Sequence, residues 1–129
     1  MAYAASFTLT KKGLDYVVTI TETEAATGSE ATINGLPVRG RVLRQLCSLT
    51  AGTGTTVDPK LTLTSGGTGV NVVVENDTAA ANVDNVSDPA IPFANTGPTL
   101  YHKSAVDAGS DNSITTVYYI TASNPSSGW

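Results

Sequence analysis

The stretch Ser6-Phe-Thr-Leu-Thr-Lys-Lys-Gly-Leu-Asp-Tyr-Val-Val-Thr-Ile-Thr21 decides the fold class. Ser6 to Thr10 alternates polar and apolar residues. Lys11-Lys12-Gly13 reads as a short turn. Leu14, Tyr16, Val18 and Ile20 then share one side of an extended chain, and Asp15, Val17, Thr19 and Thr21 share the other. A period of two with a turn at its centre is a β-hairpin with one buried face.

The same reading continues to both sides. Residues 1–5 form an N-terminal arm, and Glu22 to Glu30 is polar and loop-like. Asn34-Gly35 between apolar residues predicts a second hairpin turn, and Pro37 marks an edge or a strand start. Val38 to Leu49 fits both a strand and a helical period; Gly40 and the Thr/Gly-rich exit favour the strand. Short strands are predicted at Lys60–Thr64, Val70–Glu75 (a β-branched run suited to a central position), Thr99–Val106 and Ile114–Ala122. Asp84 to Gly97, with two prolines, reads as a long loop, and 123–129 as a polar tail. The expectation is one all-β domain over 1–129: a β-sandwich or barrel of seven to nine short, mostly antiparallel strands with extended termini.

Composition narrows the function. Thr, Ser, Ala and Gly supply 58 of the 129 residues, while only 14% are charged and His, Cys and Trp occur once each. Few reactive groups are available to cluster, so an enzyme is not expected. A net charge of −4 and a pI near 4.6 give no overall field for nucleic acid. Residues 1–60 carry six basic and five acidic groups, and residues 61–129 one basic and six acidic, which suggests copies meeting through complementary ends. The single Cys47 rules out an intrachain disulfide. The N-terminus has neither a basic segment nor a continuous apolar run, so no signal peptide is expected. No stretch approaches the ~20 apolar residues of a membrane span. The sequons at Asn76 and Asn85 are then read as coincidence.

Each candidate site has a plain alternative. His102 with Ser104 nearby would be the only basis for a nucleophilic triad. On a strand the two share a face with nothing evident to orient the imidazole, so a surface or interface histidine is expected. One Cys and one His cannot supply a zinc site. Asp107, Ser110, Asp111 and Asn112 bring hard oxygens into one turn but lack the EF-hand spacing, and turn chemistry explains them. Gly52-Thr-Gly54 and Ser65-Gly-Gly-Thr-Gly69 lack the Lys-Ser/Thr of a phosphate loop. Glu22 and Glu24 share a strand face at its frayed end and do not make a glycosidase pair. Arg39 and Arg41 lie on one strand face, with Arg44 facing away in a regular strand. An intersubunit salt-bridge role suits this cluster better than nucleic acid. No metal or other cofactor is expected.

A resemblance adds to this. Met1-Ala-Tyr-Ala-Ala-Ser-Phe-Thr-Leu-Thr-Lys-Lys-Gly13, Thr56-Val-Asp-Pro59, Leu100-Tyr-His-Lys-Ser104 and Asp107-Ala-Gly-Ser-Asp-Asn-Ser113 are similar in style to small virion proteins of tailed bacteriophages, above all capsid decoration (cement) proteins. The resemblance implies an all-β, often trimeric subunit on the outer capsid surface, assembled in the host cytoplasm. Its implied partners are the major capsid protein and other copies of itself. It carries no catalytic residues. On this reading the termini reach a neighbouring subunit, and Tyr3, Phe7, Arg39, Arg41, Arg44 and Trp129 are the candidate interface residues. A head–tail adaptor or tail or fibre component, and a carbohydrate- or surface-binding β-module, are the alternatives.

Overall fold

In the computed structural model the described residues are 3–26, 28–54, 56–75, 80–107 and 111–122, with backbone alone at 88, 89 and 105–107. They form nine strands: β1 (Ala4–Lys12), β2 (Asp15–Thr23), β3 (Ala31–Ile33), β4 (Arg39–Ala51), β5 (Thr56–Thr62), β6 (Val72–Glu75), β7 (Asn82–Ala94), β8 (Leu100–Asp107) and β9 (Ser113–Thr121). A single 3-10 turn, Gly69–Asn71, precedes β6. All pairings are antiparallel. One sheet has the order β1-β2-β9-β4-β7 and the other β3-β8-β5-β6. Fold class and strand number agree with the sequence, and the fold is a two-sheet sandwich.

The opening hairpin is present, with nine register pairs from Ala4 opposite Thr23 to Lys12 opposite Asp15. Its turn is the two-residue Gly13-Leu14, with Gly13 at φ 62°, so both lysines belong to the strand. Ala4 and Ala5 belong to it as well, which shortens the expected N-terminal arm. Tyr16, Val18 and Ile20 are buried as their phase requires, whereas Leu14 on the turn is exposed.

Asn34-Gly35 does form a turn, with Gly35 at φ 90°, but it closes no hairpin. β3 pairs with β8 in one sheet and β4 continues in the other. The turn carries the chain across the sandwich, and Leu36 is buried at the crossing. The last two strands divide the same way, β8 into the four-stranded sheet and β9 into the five-stranded one. Among the described residues the valine run at 72–75 is an edge strand rather than a central one, because β6 pairs there with β5 alone.

β7 is the largest departure, since a strand of thirteen residues occupies the expected loop. Its pairing with β4 runs from Ser48 opposite Asn82 to Arg44 opposite Val86. It then resumes at Val42 opposite Ile91. Four residues, 87–90, are thus set against the single residue Leu43. β7 is the edge of its sheet, where a proline's missing N–H costs no ladder bond. Pairing along β4 supplies the extended conformation that the local Asp, Asn and Pro content does not.

The main core packs residues of both sheets, among them Ile20, Val42, Leu61, Phe93, Leu100 and Ile120. A smaller cluster of Ala25, Cys47, Val57, Val83 and Ile114 fills the other end. Full burial of one such side chain is worth about 1.5–3 kcal/mol.

Candidate functional site, a buried polar belt between the sheets

Between the two apolar clusters lies a belt of polar side chains. Glu22, Gln45, His102, Ser104 and Thr116 are each 0% exposed. Glu22 reaches the interior because it continues the phase of Tyr16, Val18 and Ile20 on β2. His102 and Ser104 continue the phase of Leu100 on β8. Gln45 lies on β4 just past the bulge at Leu43 and is buried with Cys47, whereas before the bulge Gly40 and Val42 are the buried positions.

Glu22 is the centre. Its Oε1 accepts from Ser104 Oγ at 2.6 Å and faces His102 Nε2 at 3.1 Å. Its Oε2 accepts from the Tyr3 hydroxyl at 2.5 Å. His102 Nδ1 lies 2.7 Å from Tyr118 Oη, which accepts from Gln45 Nε2 at 3.0 Å. Gln45 Oε1 in turn faces Asn85 Nδ2 at 3.5 Å. One proton assignment satisfies the whole chain. Tyr118 accepts from Gln45 and donates to His102 Nδ1, which leaves His102 Nε2–H to donate to Glu22. The imidazole stands edge-on to the Tyr118 ring, at 5.4 Å between centroids and 77° between planes.

Burial pushes the Glu22 carboxyl up, but His102 and then the Ser104 and Tyr3 hydroxyls outweigh it and hold the group below its ordinary value. The Tyr118 and Tyr3 hydroxyls move the other way, Tyr118 chiefly through burial and Tyr3 through burial and its bond to Glu22. Burial pushes the Cys47 thiol up to about 12, against the Thr116 hydroxyl that faces its sulfur at 3.3 Å.

The belt corrects two expectations. His102 is buried and oriented on both ring nitrogens. Glu22 is a fully buried carboxylate, whereas Glu24 leaves the strand at φ 55°. The belt's hydrogen bonds close on one another. The Ser104 hydroxyl donates a hydrogen bond to a carboxylate held ionised, which is a weak base, and the belt side chains engage one another. The belt ties β2, β4 and β9 to β8 across the sandwich.

The arginine cluster is also rearranged. The β-bulge at Leu43 resets the alternation, so Arg39, Arg41 and Arg44 all stand on the outward face of β4. Arg44 makes a bidentate pair with Asp84 of the same chain, at 2.9 and 2.7 Å, with both side chains more than 40% exposed. Arg44 thus has a carboxylate partner within its own chain. Tyr3 faces inward, toward Glu22 and the smaller core cluster. Phe7 is half-buried at the rim of the main core. Trp129 lies outside the described residues.

The Asp107–Asn112 turn is described only in part. Asn112 is buried there, its Oδ1 accepting from the Ala25 amide at 2.9 Å and its Nδ2 donating to the Ala25 carbonyl at 2.8 Å. It fastens the turn rather than presenting an oxygen. In the Ser65–Gly69 run, Ser65 Oγ and the Gly66 amide donate to the Glu30 carboxylate at 2.5 and 2.8 Å, so this turn holds an internal anion. The alternation of β2 and β8 signals the inward Glu22, His102 and Ser104. Their convergence needs the face-to-face packing of two sheets whose strands β2 and β8 lie about eighty residues apart in sequence. Compared with protein families and with curated proteins, the chain matches none.

Proposed function

We propose that the chain is a structural virion subunit that decorates the capsid of a tailed phage, binding major capsid proteins from outside and stabilising the shell. The reading is non-catalytic, and it places the protein on the outer capsid surface in association with further copies of itself, for which the resemblance implies a trimer.

One observation supports it most. The outward face of the five-stranded sheet presents Arg39, Arg41 and Arg44 in one row on β4. Beside them stand half-buried Leu46, Val117 and Tyr119 and the exposed Val86. Arginine and tyrosine among apolar neighbours is the composition of protein-binding hot spots. Arg39, the exposed member of the row, suits an acidic surface on the capsid protein.

The test is occupancy on purified particles, read by mass spectrometry and image reconstruction. Wild-type chain is expected in many copies over the shell. A variant with Arg39→Glu and Tyr119→Ala should fold and lose most of that occupancy. Absence of the wild type from particles, confinement to a single vertex, or full occupancy by the variant would each overturn the reading.

A further inference from the structure

We propose that β1 is a self-pairing edge: two copies of the chain join antiparallel through Ala4–Lys12 about a two-fold axis at Thr8, merging their five-stranded sheets into one continuous sheet.

The edges of this molecule differ in kind. β7 closes the five-stranded sheet on one side with Pro92 and the irregular register at 87–90, features that blunt an edge against pairing. In the other sheet the edges are short, three residues at β3 and four at β6. β1 has nine residues, no proline and an uninterrupted register with β2, and among the described residues it is paired on one side only. Its lysines are confined to the C-terminal end, and a long edge of unbroken register offers its outer row of N–H and C=O groups to another strand.

The sequence of β1 matches itself in this register. Antiparallel pairing about Thr8 sets Phe7 against Leu9, Ser6 against Thr10, Ala5 against Lys11 and Ala4 against Lys12 of the second copy. Phe7 and Leu9 meet on the inner face, the Ser6, Thr8 and Thr10 hydroxyls meet on the outer face, and each alanine opposes a lysine. No lysine opposes a lysine, and all nine residues are used. Moving the axis to Leu9 would set Phe7 against Lys11 and leave Ala4 and Ala5 unpaired.

The inner face also has room for the contact. An open cleft of about 250 Å³ lies where β1 approaches β3, lined by Ala5, Ser6, Phe7, Ile20, Ala31 and Thr32. Leu9 of the second copy, opposite Phe7, enters at this seam. Phe7 and Leu9 are each half-buried in one chain, and the pairing completes their burial. A two-fold pair of this kind closes on two copies, so it replaces the three-fold arrangement that the resemblance implies.

The test is the solution mass of the purified protein by sedimentation or light scattering, without particles, so it is independent of capsid binding. Two chains are expected, and Thr8→Lys, which sets lysines against each other at the axis, should give one chain that still unfolds cooperatively, with a melting temperature that no longer depends on protein concentration. In the wild type, hydrogen-exchange protection of residues 4–12 should fall on dilution while that of 82–94 does not. This measurement stands even if the variant fails to fold. A single chain at all concentrations, an assembly that survives Thr8→Lys, or protection in 4–12 that ignores dilution would overturn the proposal.

Discussion

Glu22 is a carboxylate with no solvent contact, and its energetics follow from its three donors. Glu22→Gln keeps the volume but sets an amide N–H among those donors. It should lower stability by about 3 kcal/mol, the scale of breaking a buried charged hydrogen-bonded group; urea unfolding at neutral pH measures this. Acid should act through the same group. Its folded-state value lies below the ordinary 4.5, so its contribution is fully present above that pH and is lost as pH falls toward the folded value. Urea midpoints between pH 6 and 3 should therefore drop for the wild type and flatten for Glu22→Gln. A double-mutant cycle of Glu22→Gln with His102→Leu should give a coupling of about 1–3 kcal/mol. The phase of β2 showed which way Glu22 points. Its partners were hidden, because Ser104 and His102 lie about eighty residues away and Tyr3 arrives from before β1.

On β4 the element depends on two positions. The bulge at Leu43 lets Gly40 and Val42 on one side, and Gln45 and Cys47 on the other, face the same core. Deleting Leu43 restores strict alternation and turns one set outward. We expect loss of cooperative unfolding, whereas Leu43→Thr at this exposed position should change stability by less than about 1 kcal/mol; circular dichroism melts separate the two. Gly40 is tighter. A methyl group there would stand 2.7 Å from the Thr121 carbonyl oxygen and 3.1 Å from the Phe93 ring. Gly40→Ala should therefore cost about 2–3 kcal/mol by overpacking, read as a shift in urea midpoint with an unchanged slope. The ambiguity of 38–49 in sequence has its cause here. A strand with a bulge spaces its apolar residues irregularly and imitates a helical period.

For the whole molecule, the segregation of charge along the chain dissolves in the topology. The five-stranded sheet takes β1, β2 and β4 from the first half and β7 and β9 from the second, so the halves interleave and Arg44 meets Asp84 within one chain. Cys47 reports on the same cooperativity. It is 1% exposed with its thiol pushed up to about 12, so a thiol reagent at neutral pH should react only through opening of the sandwich. The labelling rate should rise with urea in parallel with global unfolding; fast labelling in native buffer would mean that this end of the core opens by itself.

The sequence by itself determined the all-β class, the opening hairpin, the buried phase of β2 and the scarcity of reactive surface groups, because these depend on a period of two and on turn residues within a few positions of one another. Only the tertiary structure decided that Asn34-Gly35 crosses between sheets, that 82–94 is a strand, that three arginines share a face and that Glu22, His102, Ser104 and Tyr118 form one belt. Each of these depends on which distant strand pairs with the segment or packs across from it, and local residue patterns carry no record of that partner.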